Sequence, residues 1–173
     1  MAGGSLRLFF ALWPDEHTRR ALAAWSEAVH AVCGGRRTPP ENLHATLAFL
    51  GATDPARLPA LGEAAAQVDA PSFELVIDRA GYWKHNHIAW AGALTVPIAL
   101  TALVEKLRAR LLLLDLQFDP KPFAPHITLA RDAARANAPA LAPVRWPVSD
   151  FALVQSPGGG QAPYRVIERW PLR

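Results

Sequence analysis

One cysteine, Cys33, is all that the chain carries. That excludes an internal disulfide, argues against a thiolate zinc site and makes a reducing compartment the natural setting. No apolar run approaches the length of a membrane span. The opening residues Met1-Ala2-Gly3-Gly4-Ser5 lack the basic start of a secretion signal, and the apolar stretch behind them runs straight into Trp13-Pro14-Asp15. The cytoplasm is therefore the expected location. Charge is sparse as well: 19% of residues are charged against 51% hydrophobic, the balance of a globular rather than a disordered chain. A net charge of +3 permits an anionic ligand without demanding one. No stretch is long and loose enough to link independent domains, so 173 residues imply one domain, or two small lobes sharing a core.

What is present is one small pattern written twice. His44-Ala45-Thr46-Leu47 and His126-Ile127-Thr128-Leu129 each read His-x-Thr-x with an apolar last place. Each sits in a short apolar run, the pattern of a buried strand. Side chains alternate along a strand, so His44 and Thr46 share one face, as do His126 and Thr128. For either stretch alone, a structural histidine on a core strand is the simpler reading. Matched spacing and matched apolar backing in the pair favour function.

The remaining elements read in order. Leu6 to Leu12 is a central strand. A helix follows Trp13-Pro14-Asp15, with Leu22, Trp25, Ala28, Val29 and Val32 as its core stripe, and Gly34-Gly35 stops it. Arg36 to Pro40 is a loop with solvated arginines. Asn42 to Leu50 is the first motif strand, and Pro55 opens a helix reaching about Val68. Phe73 to Ile77 is a strand continuing toward Tyr82, and His85-Asn86-His87 turns it into Ile88 to Ala91. Those two histidines lack a clear third ligand, so a solvated turn is expected and not a metal site. Thr95-Val96-Pro97 opens the third helix, buried along Ile98, Leu100, Leu103, Leu107 and Leu111. Asp119 to Pro125 is a stiff approach to the second motif, His126 to Arg131. Asp132 to Val144 is a loop with one helical turn, Val148 to Gln155 a strand, Ser156 to Gln161 a flexible loop and Tyr164 to Trp170 a closing strand.

Histidine titrates near neutrality, so two of them can hold one neutral and one protonated ring at the same pH. A displacement at phosphorus needs that combination: one group takes a proton from the attacking oxygen and another gives one to the leaving oxygen. Threonine hydroxyls on the same face can donate to anionic oxygens. A phosphodiester fits best, and the arrangement requires no metal or other cofactor. Arg131 would add a permanent positive charge. Its odd spacing from His126 turns it away on an ideal strand, so a bend is needed to bring it in.

These residues resemble the two signature motifs of the 2H phosphoesterases. Within that superfamily the chain is similar to the bacterial and archaeal RNA 2′,3′-cyclic phosphodiesterases, also described as 2′-5′ RNA ligases. The similarity runs through Arg7 to Leu12, Asn42 to Gly51, Pro122 to Arg131, and Tyr164 with Arg169 to Leu172. It implies an α+β fold, two-lobed and pseudo-symmetric, with antiparallel sheets facing a central cleft and helices outside, over residues 1–173 as a single domain. It implies hydrolysis of a terminal 2′,3′-cyclic phosphate on RNA, or on a related nucleotide, to a 2′-phosphate by a monomeric enzyme. His44 would be the proton donor and His126 the base. Thr46, Thr128 and Arg131 would hold the phosphate. Run backwards, the same site would join a cyclic end to a 5′-hydroxyl. An RNA-end binding module, a structural α+β domain and an enzyme for small cyclic nucleotides are the competing readings.

Overall fold

A computed structural model describes residues 4–158 and 162–173. Among these residues, ten strands and three α-helices make an α+β fold. The first strand, β1 (Leu6–Leu12), is buried over most of its length, as its apolar sequence requires. Asp15, three residues past its end, caps the helix α1 (Glu16–Cys33), its carboxylate accepting from the Thr18 backbone N–H at 2.7 Å. A two-residue strand, β2 (Arg36–Arg37), precedes the first motif strand, β3 (Ala45–Thr53). Asp54 caps a short 3₁₀ turn from Pro55, and α2 (Leu58–Ala66) follows. Then come β4 (Phe73–Ile77), β5 (Arg79–Trp83), β6 (Ile88–Gly92), α3 (Ile98–Leu113) and the second motif strand, β7 (His126–Arg131). The chain closes with β8 (Val144–Val148), β9 (Asp150–Ser156) and β10 (Arg165–Pro171).

Strand pairing explains how the two motifs meet. The order β10-β9-β1-β3-β7-β6-β5 is antiparallel throughout, and β4 and β8 form a separate two-stranded sheet. The two halves are thus parts of one sheet. They touch at the motif strands, where Ala45 pairs with Ile127, the residue after each histidine. Along the same edge of β7, β2 takes over from β3: Arg36 faces Arg131 and Arg37 faces Ala130. Beneath the sheet lies the main core, into which α1 sends Leu22, Trp25 and Val29 and α3 sends Leu100, Leu103, Leu107 and Leu111. A second, smaller cluster of Phe9, Ala11, Trp13, Ala152 and Val154 sits apart from it, with Tyr164 against it.

Several expectations need correcting. Arg36 and Arg37 are strand, not loop, because β7 offers them an open edge. Gly35 makes that docking possible: its φ is +80°, and a Cβ there would run into the backbone of Arg131 and Asp132. The single strand expected from Phe73 toward Tyr82 breaks at Asp78, whose carboxylate accepts from the Leu94 N–H at 2.8 Å. Its halves, β4 and β5, enter different sheets. Val144 to Val148 forms β8, between the expected loop ending at Val144 and the strand expected from Val148; its burial alternates, and β4 supplies the partner. No helical turn forms between Asp132 and Val144. Ile98 is 87% exposed: it lies two residues, or 200° around the helix, from Leu100, and Val104 fills the stripe instead. Val32 is likewise exposed at the stripe's edge, with Cys33 buried in its place. The loop expected over Ser156 to Gln161 lies partly outside the described residues.

Candidate active site

Both motif strands carry a bulge at the same place. In β3, Phe10 faces Ala48 while its neighbour Ala11 faces Thr46, so Leu47 is an extra residue. In β7, Trp90 faces Thr128 while Ala89 faces Ala130, so Leu129 is extra. A bulge shifts the alternation by one residue. Leu47 with Ala48, and Leu129 with Ala130, are accordingly buried in succession. The residue five places after each histidine returns to the cleft face: Phe49 in the first motif and Arg131 in the second. That is the bend Arg131 required. His44, Thr46, His126, Thr128 and Arg131 all line one cavity of about 540 Å³.

The histidines are held alike. His44 Nδ1 lies 2.7 Å from the Asn42 carbonyl oxygen, and His126 Nδ1 lies 2.9 Å from that of Ala124, each two residues back. A carbonyl oxygen only accepts, so Nδ1 carries the proton in both neutral rings and Nε2 keeps its lone pair. His44 Nε2 accepts from the Thr46 hydroxyl at 3.0 Å. His126 Nε2 has no such partner among the described residues. Asn42 is itself fixed: buried at the head of the motif, its side-chain amide donates to the Ala162 carbonyl and its oxygen accepts from the Tyr164 N–H.

Their surroundings differ. Phe9 at 4.8 Å, Trp13 stacked at 5.5 Å and Tyr164 edge-on at 5.6 Å enclose the His44 ring. Burial pushes its pKa down to about 4, against a raising contribution from the Asn42 carbonyl; the nearby His126 and Arg131 charges lower it further. His126 has Trp83 edge-on at 4.5 Å. Its pKa is also lowered, by burial first and by Arg131, with the Ala124 carbonyl opposing. Trp83 leans on Trp90 at 5.3 Å, and Trp90 lies where Gly81 leaves room, since a Cβ at Gly81 would collide with its indole.

The chain has known relatives. A family model described as LigT like Phosphoesterase matches residues 12–90 and 95–164, which include both motifs. The chain belongs to the LigT-like phosphoesterases. It is 33% identical over 169 residues to the RNA 2′,3′-cyclic phosphodiesterase of Escherichia coli (strain K12), covering 96% of each chain. It is 37% identical to the protein of the same name from Thermus thermophilus, covering 97% of this chain and 91% of that one. The crystal structure of E. coli LigT complexed with 3′-AMP matches with a TM-score of 0.87 at 32% identity, over 97% of this chain and 98% of that one. The MHV ns2 PDE domain, with a TM-score of 0.61 at 13% identity, shares the fold.

Residues singled out for no role in the sequence lie around the two rings of this LigT-like phosphoesterase. Asn42 anchors His44, Trp13 stacks on it, and Phe49 occupies the place that mirrors Arg131. Phe49's only sequence signal was its distance of five from the motif histidine. Arg37, expected to be solvated, is half-buried and lines a small niche beside His44 and Thr128. His85 and Asn86 line the cleft rim, whereas His87 turns aside to meet the Tyr82 hydroxyl at 2.8 Å. No group of three metal-ligating side chains occurs among the described residues, and no described helix is long and apolar enough to cross a membrane.

Proposed function

We propose that this protein is an RNA 2′,3′-cyclic phosphodiesterase that opens a terminal cyclic phosphate to a 2′-phosphate by two-histidine acid–base catalysis. The observation that supports this reading is the pair of rings on one cavity, each tied through Nδ1–H to a backbone carbonyl, so that Nε2, bonded only to the Thr46 hydroxyl in His44 and unengaged in His126, is the nitrogen available for proton transfer. The proteins it resembles along almost their whole length are named for that activity.

His126 is the base, because its Nε2 lone pair is unengaged. It takes a proton from water as the water oxygen bonds to phosphorus. The P–O3′ bond breaks, and His44, protonated on Nε2, gives its proton to the leaving oxygen. The product carries a 2′-phosphate and a 3′-hydroxyl. His44 has a low pKa in the empty site, and the negative charge of a bound phosphate raises it, so the ring gains as substrate arrives the proton that it then gives to the leaving oxygen. Thr46 and Thr128 donate hydroxyls to the non-bridging oxygens, and Arg131 balances their charge. Proton transfer and charge stabilisation are all supplied by side chains, so no metal is needed. Reversal of the same steps joins a cyclic end to a 5′-hydroxyl.

The site draws one motif from each half, which supports treating the chain as one two-lobed domain acting as a monomer. Cys33 is free and buried, in keeping with a reducing cytoplasm. The test is an assay with EDTA present, on a short RNA ending in a 2′,3′-cyclic phosphate, comparing wild type with folded His44→Ala and His126→Ala. Turnover to a 2′-phosphate, lost in both variants, is the expected result. Binding without turnover by wild type would mean an RNA-end binding module. Turnover of nucleoside cyclic phosphates alone would mean an enzyme for small cyclic nucleotides.

A further inference from the structure

Beside the main cleft, and sharing His44, Thr128, Arg131 and Tyr164 with it, lies a niche of about 40 Å³ completed by Arg36, Arg37, Thr38, Pro39 and Asn42. Arg36, Arg37 and Arg131 are among its lining residues. Only Arg36 has a carboxylate partner among the described residues, Asp132 at 2.8 Å. Arg37 is half-buried and has no ion pair or side-chain hydrogen bond there. Its position is fixed by backbone pairing: β2 lies against the end of β7, and the Thr38 N–H donates to the Leu129 carbonyl at 2.9 Å. A half-buried cation without a counter-charge is costly unless an anion joins it.

Other cations of the cleft, like Arg36, have partners, so Arg37 stands apart from them. Lys121 faces Asp119 at 3.4 Å, and Arg108 donates to the Lys121 carbonyl and lies over Phe118. Arg7 lies over Phe49. In RNA the phosphodiester preceding a terminal cyclic phosphate is one ribose away from it. The niche is likewise one shared wall away from the reacting site.

We propose that Arg37, with Arg36 and Arg131, forms a second anion site that takes the phosphate on the 5′ side of the terminal nucleotide. This inference rests on the RNA phosphodiesterase reading and adds how the enzyme tells an RNA end from a free nucleoside cyclic phosphate. Arg37 is a specificity residue; it does not touch the reacting phosphorus.

The experiment compares adenosine 2′,3′-cyclic phosphate with the same nucleotide bearing a 5′-phosphate, in wild type and in Arg37→Gln. Wild type is expected to favour the 5′-phosphorylated substrate by about tenfold in kcat/KM, the worth of one charge-assisted contact. Arg37→Gln abolishes that preference, chiefly through KM, and leaves turnover of the nucleoside cyclic phosphate as it was. That retained turnover also shows that the variant folds. A second variant, Arg36→Gln on the exposed side of the niche, reduces the preference by a smaller factor. Equal rates on both substrates by wild type, or a preference that survives Arg37→Gln, would overturn this inference alone. No turnover of either substrate or of an RNA cyclic end would overturn the functional reading, and this one with it.

Discussion

The two motif strands share a backbone device and differ in what surrounds it. Each holds its histidine by the carbonyl two residues back, and each bulges at the motif leucine. Around His44 the chain packs Phe9, Trp13 and Tyr164, and five residues on it presents Phe49. Around His126 it packs Trp83 from one side, and five residues on it presents Arg131. Repetition therefore sets the geometry of the two rings, and the unrepeated neighbours set their chemistry. A ring boxed in by aromatics resists carrying charge and is a strong acid once it does. A more open ring with a free Nε2 is the better proton acceptor.

The largest effect that could break this comparison is loss of either ring. His44→Ala and His126→Ala are each expected to lower kcat by about 10²–10⁴-fold, the usual worth of a general acid or base. The double variant should cost little more than one single variant, because the two act as a unit. Steady-state rates, with circular dichroism as the folding control, check this.

A substitution that touches only one half comes next. Gly81→Val forces Trp90 and Trp83 to move and so displaces the support of His126. About 1–3 kcal/mol of stability should be lost to overpacking. Activity should fall by a larger factor than in a control variant of equal stability loss elsewhere in the core. Thermal unfolding and rates on the same samples decide it.

The pH dependence sharpens the comparison further. Both histidine pKa values lie below the ordinary 6.5 in the free protein. A bell-shaped kcat/KM profile should then have both limbs below that value: protonating both rings removes the base at low pH, and deprotonating both removes the acid as pH rises. The same shifts affect stability. A histidine whose folded pKa is lowered is neutral in the fold, so its stability contribution is complete above pH 6.5 and is lost as pH falls toward about 4. His44→Ala should therefore unfold at a temperature less sensitive to acid than wild type. The smallest effect is Trp13→Leu, which lets water nearer to His44 and moves its pKa back toward 6.5 while leaving that of His126 in place. Proton NMR titration of the two rings reads this directly.

Much of this was legible in the residues. Alternation put His44 with Thr46 and His126 with Thr128, and the spacing of Leu22, Trp25 and Val29 marked the buried side of α1. What escaped depends on partner strands. The Leu47 and Leu129 bulges exist only because neighbouring strands pair around them, so the facing of Arg131 and Phe49 was open. A two-residue strand such as β2 has no periodicity to detect; its edge on β7 and the room at Gly35 create it. β4 and β5 read as one continuous run until Asp78 finds the Leu94 N–H and the chain changes sheet. Ile98, in contrast, was a misjudged helix angle that the sequence alone could have corrected.

The most direct test of unequal roles is a substrate in which the leaving 3′ oxygen is replaced by sulfur. A thiolate leaves without being protonated, so such a substrate has no need of a general acid. The account predicts that His44→Ala turns it over at close to the wild-type rate, whereas His126→Ala stays inactive. Rescue of His126→Ala instead, or of neither variant, would contradict the assignment of His44 as acid and His126 as base.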